Sequence, residues 1–327
     1  MPRFSKIEIS KIAVYWAVIA FGLSLLWSVL LNLLRAFGEG PALTLAVPGV
    51  LAALIAIYYY FGRVHQVLEY DDMGYTMTKG RRLVQQHHWS DFQECSLAKD
   101  NYGRVKVRAY LEKGGSHEDI DSKACGLDPY TFRNFMLPKL YGSMQKADTN
   151  GSMLTDLFNA LEREIQKGRA SWIADLNETF RYYDASGEVF PVMARGSTRP
   201  KGFLLSRFVA MTLMPNYEVA LYSQDVTGTE KSSKAHLMRL VRLVETLRDQ
   251  RNIKWSWLLL FTRDEPPQSL VRTLQEFGNK DIGIGCIDVG TGRMVASHNQ
   301  LGVSLGRQMR MNRLIQDLNK SRRKVAH

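Results

Sequence analysis

Cysteine is scarce in this chain: only Cys95, Cys125 and Cys286 occur among 327 residues. Their odd number and scattered spacing argue against a disulfide framework and a thiolate zinc site, and point to reduced thiols in a cytosolic compartment. His-Glu-x-x-His and Walker sequences are also missing, which removes support for zinc-peptidase and phosphate-loop chemistry. Gly283-Ile-Gly285 lies in an apolar stretch without the third glycine and following helix of a dinucleotide loop, so it reads as a close-packing device. His87 and His88 are neighbours on an expected strand, where they point to opposite faces and cannot share an ion. No metal and no cofactor are expected.

The most informative absence is of charge. Residues 12–34 and 42–62 contain no Asp, Glu, Lys or Arg. At about 1.5 Å rise per residue, roughly 20 apolar residues in a helix match a hydrocarbon core of about 30 Å. The segment between them, 35–41, is short and rich in turn formers, so the runs read as two transmembrane helices in an antiparallel hairpin joined by an outer loop. The first run is longer than a secretory signal core and ends in Leu33-Leu34-Arg35 rather than small residues, which favours a retained anchor. Arg3, Lys6 and Lys11 precede the first helix, and Arg63, Lys79, Arg81 and Arg82 follow the second. By the positive-inside rule both ends are expected in the cytoplasm, with residues 1–11 as a cytoplasmic amino terminus, in a multi-pass protein of the inner cell membrane.

What is present beyond residue 62 is patterned like globular protein. Residues 63–141 alternate with period two, with strands expected at 67–70, 75–78, 82–89, 92–97, 104–111 and 119–122. Leu127–Leu137 then reads as a helix, with Asp128 as N-cap and Pro129 at the first helical position. On the 104–111 strand, Val105, Val107, Ala109 and Leu111 take one face and Arg104, Lys106, Arg108 and Tyr110 the other. This order of elements, the His88-Trp89-Ser90-Asp91-Phe92 segment and the Gly126-Leu-Asp-Pro129 helix start resemble bacterial pleckstrin-homology-like membrane proteins, including the YcxB-like group. The resemblance implies a binding or assembly module over about residues 1–140 rather than a catalyst.

A polar, glycine-containing stretch, 142–152, reads as a linker to a second domain at 153–319, followed by a basic tail at 320–327. Leu154, Leu157, Phe158, Leu161 and Ile165 form one helical stripe, and Leu237, Leu240, Val241, Val244 and Leu247 another. Strands are expected around 172–174, 188–193, 207–214, 217–222, 253–262 and 281–289, a helix over 267–277, and a closing basic helix over 301–318. The order predicts an α/β sandwich with a mixed sheet. It also resembles the restriction-endonuclease-like core, in which an acidic residue precedes a Glu-x-Lys or Gln-x-Lys. Here Tyr217-Glu218-Val219-Ala220 carries no such lysine, so the core reads as degenerate.

The fold class expected is thus a membrane α-hairpin plus α+β. The formal charge of +11 suits an anionic partner. Arg81, Arg82, Arg104, Lys106 and Arg108 are the lipid-surface candidates, each adding on the order of 1 kcal/mol beside an anionic membrane. Arg322, Arg323 and Lys324 mark the tail, which suits anionic lipid or nucleic acid. The leading expectation is a non-catalytic membrane scaffold binding lipids and a protein partner. The alternative is a membrane-tethered nucleic-acid-binding or nuclease-like protein, with Glu218, Asp184, Glu188 and Lys231 as catalytic candidates.

Overall fold

The computed structural model describes residues 1–33, 41–100, 102–142, 153–167, 174–198, 217–228 and 230–308. Most of the outer loop, nearly all of the 142–152 linker, the 207–214 strand, the far half of the closing helix and the basic tail with Arg322, Arg323 and Lys324 lie outside these residues. The described parts form an α+β protein with seven α-helices, thirteen strands and two sheets.

The chain begins with a strand that the sequence pattern does not announce, β1 (Arg3–Ser5). It runs into α1 (Ile9–Leu33) and, after the connection, α2 (Pro41–Tyr59), which ends in a π-turn at Tyr60–Val64. Then follow β2 (Gln66–Tyr70), β3 (Gly74–Lys79) and β4 (Arg82–His88). β1 pairs antiparallel with β2, Arg3 opposite Glu69, and the first sheet has the order β1-β2-β3-β4. The helical hairpin is therefore an insertion between two neighbouring strands of one sheet, which brings its two ends together. Of the apolar span Ile9–Ser28 in α1, nothing is buried. Among the described residues it is the one helix long and apolar enough to cross a membrane, the apolar part Pro48–Val64 being shorter.

β5 (Glu94–Lys99), β6 (Val105–Tyr110), β7 (His117–Ile120) and α3 (Pro129–Tyr141) complete the first unit. Asp128 caps α3 as expected, accepting from Thr131 N at 3.0 Å. Its core joins both sheets: Leu68, Tyr75, Trp89, Leu97, Val107, Phe132 and Met136 pack together, with Tyr75 stacked on Trp89 at 5.6 Å. The Trp89 indole donates to the Asp71 carbonyl at 2.8 Å, so its polar edge is satisfied while the ring fills the core.

The second sheet joins strands from both sides of the 142–152 stretch. β5 pairs on its free side with β8 (Ala174–Ala185), Leu97 opposite Thr179, and the second sheet runs β13-β12-β11-β10-β9-β8-β5-β6-β7. β8 and β9 (Glu188–Thr198) form a hairpin far longer than the short strands expected there. Its two-residue turn, Ser186-Gly187, holds both residues at positive φ, 51° and 84°, which matches the right-handed twist of the flanking strands. β10 (Glu218–Asp225), β11 (Trp255–Thr262) and β12 (Ile282–Asp288) are parallel neighbours, and β13 (Met294–Ala296) closes the edge antiparallel.

Helices cover both faces of this mixed sheet. α5 (Lys234–Gln250) and α6 (Gln268–Gln275) bury Leu237, Leu240, Val244, Leu270 and Leu274 against one face. α4 (Met153–Gln166) and α7 (Gln300–Gln308) bury Leu157, Phe158, Leu161, Leu301 and Leu305 against the other. β11 runs between two parallel neighbours and is buried on both faces, which is why Trp255–Thr262 reads as a near-continuous apolar run. Gly283 is indeed a close-packing device: a Cβ there would lie 2.5 Å from the backbone of Leu301 in α7.

Candidate functional site

Among the described residues, two concavities lie beside the amino-terminal arm, the smaller of them at the base of the helical hairpin. Three segments clasp the hairpin base. The Glu8 backbone donates to the Tyr60 hydroxyl at 2.7 Å, and that hydroxyl donates to the Lys6 carbonyl at 3.3 Å, tying the start of α1 to the end of α2. Gly80, in the β3–β4 turn, donates to the His65 carbonyl at 2.6 Å. It can approach so closely because it has no Cβ: φ is +61°, and a methyl group there would sit 2.2 Å from the Gly62 oxygen. The third segment is the turn Ser122–Cys125 with Gly126, whose Cβ position faces the Lys6 side chain at 3.3 Å.

Between the amino-terminal arm and the segment 123–130 runs a groove of about 780 Å³, lined by Arg3, Phe4, Lys6, Lys123, Gly126 and Tyr130 among others. A second chamber of about 280 Å³ adjoins it, lined by residues including Lys6, Lys11, Tyr60, Gln66, Arg104 and Lys123. Lys6 and Lys123 line both.

Ion pairing decides which cations are available to a ligand. Arg104 binds Asp100 at 2.9 Å, and Lys106 lies 4.0 Å from the same carboxylate. Arg108 holds Asp119 through two hydrogen bonds at 2.7 and 3.2 Å, and lies 3.7 Å from Glu178. Backbone and guanidinium hydrogen bonds hold Asp100 below the usual carboxylate range, and the Arg108 guanidinium does the same for Asp119. The strand face expected to be openly basic is thus largely neutralised from within. Its fourth member, Tyr110, is 1 % exposed and packs into the α5 side of the large sheet. Of these four only Tyr110 is buried, Arg104 staying largely exposed and Lys106 and Arg108 partly so. Arg81 and Arg82 are exposed near the hairpin base, Arg81 lying over the Tyr58 ring at 5.8 Å. Among the described residues, Lys6, Arg82 and Lys123 carry no ion pair. No sequence motif pointed to Lys6 and Lys123 as a pair; they meet only because β1 folds back onto β2.

A second polar cluster is buried under the first unit's outer strands. Glu178, on β8, accepts from Ser96 and Tyr110 hydroxyls at 2.5 Å and from Arg195 Nε at 2.6 Å. Nearby Glu94 is 5 % exposed, and desolvation pushes its carboxyl up despite Arg251 and Arg195. The Glu178 hydrogen bonds run entirely within the protein, so that part of the cluster acts as an internal brace.

The nuclease candidates are not brought into one site. Asp184 and Glu188 flank the β8–β9 turn, where Asp184 accepts from Gly187 N at 3.0 Å. Glu188 is occupied by Gln224 and Arg239, each at 2.6 Å. Lys231 is exposed just before α5 and bears electrostatically on His236, as Glu188 does. Glu218, however, pairs with Ser197 at the far end of β9, nine residues from Glu188, or roughly 30 Å at about 3.3 Å per residue. The four cannot hold one ion. Among the described residues no group of three or more His, Cys, Asp or Glu side chains is placed to bind a metal.

One chemical pattern is present in the chain and not functional in form. Gly302-Val303-Ser304-Leu305-Gly306 matches the Gly-x-Ser-x-Gly arrangement of serine hydrolases. That chemistry needs the serine exposed on a strand-to-helix turn. Ser304 instead lies inside α7, 6 % exposed, donating to the Leu301 carbonyl at 2.6 Å and accepting from the Trp257 indole at 3.1 Å. Gly302 serves packing, since a Cβ would lie 2.1 Å from Ser297 Oγ.

No family model, no curated protein and no solved structure matches this chain.

Proposed function

We propose that the protein is a membrane-anchored, non-catalytic binding protein that presents its sheet-based body as an assembly platform at the cytoplasmic surface. In this reading α1 and α2 both cross the bilayer, and the amino-terminal strand and everything after Tyr60 lie on the same side. The observation that carries it is the insertion of an apolar hairpin between the paired strands β1 and β2, with the α1 span unburied by the rest of the chain. Tyr58, Tyr59 and Phe61 are exposed at the end of α2, where aromatic side chains favour the headgroup level. A pleckstrin-homology-like reading of the first unit is supported by four strands in one sheet, three in the other and a closing helix. The buried braces around Glu178 and the dispersed acidic residues favour binding over catalysis.

Alkaline extraction of membranes containing the full chain tests the anchoring. Retention in the pellet, together with protection of the soluble body from protease added outside intact cells, is the expected result. Recovery of the full-length protein in the alkaline wash overturns the proposal.

A further inference from the structure

We infer that the groove at the hairpin base holds the phosphate of a resident anionic glycerophospholipid, gripped between Lys6 of the amino-terminal arm and Lys123 of the turn before α3. The inference rests on the proposed membrane anchoring, which places this groove at headgroup depth.

Three features of the site support it. First, the local carboxylates are already committed: Glu8 pairs with Lys11 at 2.8 Å, Asp121 accepts from Ala124 N at 3.1 Å, and Asp128 caps α3. Arg3 and Arg104 are likewise tied to Glu69 and Asp100, at 3.2 and 2.9 Å. Lys6 and Lys123 are left as two unpaired ammonium groups, each lining both the groove and the smaller chamber. Two like charges facing a shared groove repel each other, and an anion between them removes that cost.

Second, the smaller chamber contains a polar group without a partner. Gln66 Oε1 is buried and accepts no hydrogen bond. Gln66 lines that chamber, and a rotation of its side chain that brings the amide N–H to a seated phosphate supplies the missing partner.

Third, the wall of this chamber is the membrane end of the hairpin itself. Tyr60 and Val64 line it, one residue beyond the exposed aromatic Tyr59. A phosphate seated here leaves its acyl chains free to run along the exposed apolar surfaces of α1 and α2. The shared chemistry is that of any phosphate monoester or diester, and the position at the hairpin base selects the lipid over a soluble anion. Such a lipid acts as a wedge that fixes the hairpin on the sheet, joining the arm before α1 to the turn before α3.

The test uses the full chain in detergent, with thermal unfolding followed as phosphatidylglycerol, phosphatidylcholine or soluble glycerol 3-phosphate is added. Phosphatidylglycerol is expected to raise the midpoint saturably, while phosphatidylcholine and glycerol 3-phosphate leave it unchanged. In Lys6→Gln/Lys123→Gln the apparent affinity for phosphatidylglycerol falls about thirtyfold, from the contribution of two basic groups beside an anionic surface. Lys6→Arg/Lys123→Arg retains binding, which separates lost charge from lost folding. Lys79→Gln/Lys113→Gln, which removes two exposed cations outside the groove, leaves it intact. An equal loss in that control means diffuse surface electrostatics and overturns the inference. An equal response to glycerol 3-phosphate assigns the groove to a soluble anion and overturns the lipid assignment. Absence of any wild-type response also overturns it. Alkaline extraction of the same preparation distinguishes the failures: a protein retained in the membrane but indifferent to the lipid refutes only the groove, whereas an extracted protein refutes the anchoring on which it rests.

Discussion

Replacing Glu162 by alanine should loosen the junction between the two halves of the chain more than any other single change at that junction. Glu162, on α4, and Arg133, on α3, are each 1 % exposed and face each other in a bidentate pair, with Arg133 Nη2 at 2.8 Å from Glu162 Oε2. The Thr179 hydroxyl donates to the same carboxylate at 2.9 Å. α3 belongs to the first unit and α4 opens the second, so the pair clamps both to the sheet where β5 meets β8. Removing one partner leaves the other charge buried and uncompensated, at a cost of about 3–5 kcal/mol. Thiol labelling reads the effect on each side, because Cys95 on β5 and Cys286 on β12 are buried and burial pushes both thiols up to about 12. They react only on opening. A loss of about 3–5 kcal/mol accelerates labelling of Cys95 by two to three orders of magnitude or slightly more. Because β5 and β12 belong to one sheet, Cys286 should accelerate with it. An acceleration of Cys95 below about fivefold refutes the energetic argument, and a fast Cys95 beside an unchanged Cys286 refutes the claim of a single cooperative sheet. The Glu162→Ala/Arg133→Met double variant should recover part of the loss, since Arg181 is then the one buried charge left beside the emptied carboxylate position. Arg133 holds the Glu162 carboxyl below its ordinary value. The contribution is therefore present above the unfolded pKa of about 4.3 and is lost as pH falls through the lower folded value.

Two further predictions concern packing. Gly80→Ala places a methyl group 2.2 Å from the Gly62 oxygen at a backbone conformation that alanine disfavours, so it should lower the thermal midpoint of the full chain by several degrees; an unchanged midpoint refutes the clasp at the hairpin base. Leu240→Ala and Arg239→Ala, adjacent on α5, should differ sharply in denaturant unfolding. The first empties a fully buried position at about 2–5 kcal/mol, while the second removes an exposed ion pair worth under about 1 kcal/mol; equal effects refute the assignment of faces.

Much of the local structure was legible in the chain because it is set by neighbours in sequence. The Asp128-Pro129 helix start, the buried stripe of α5 and the apolar run of β11 each follow from periodicity, capping chemistry and the absence of polar side chains. The strand Arg3–Ser5 escaped because three residues are too few for a period. The hairpin at 174–198 was underestimated because Glu178 and Arg181 interrupt its apolar pattern. Both are buried in the fold, Glu178 by its hydrogen bonds to Ser96, Tyr110 and Arg195, and Arg181 beside Glu162 and over the Tyr182 ring.

The sequence by itself determined the uncharged helices, the alternation of the strands and the helical stripes, since these depend on solvation of side chains a few residues apart. Tertiary structure alone decided that β5 pairs with β8, and so that Glu178 of β8 reaches Arg108 and Tyr110 of β6. It also decided that Lys6 and Lys123, more than a hundred positions apart, share one groove. Pairing between distant strands has no local periodicity to reveal it; it is fixed by the burial and ion pairing gained when the whole sheet closes.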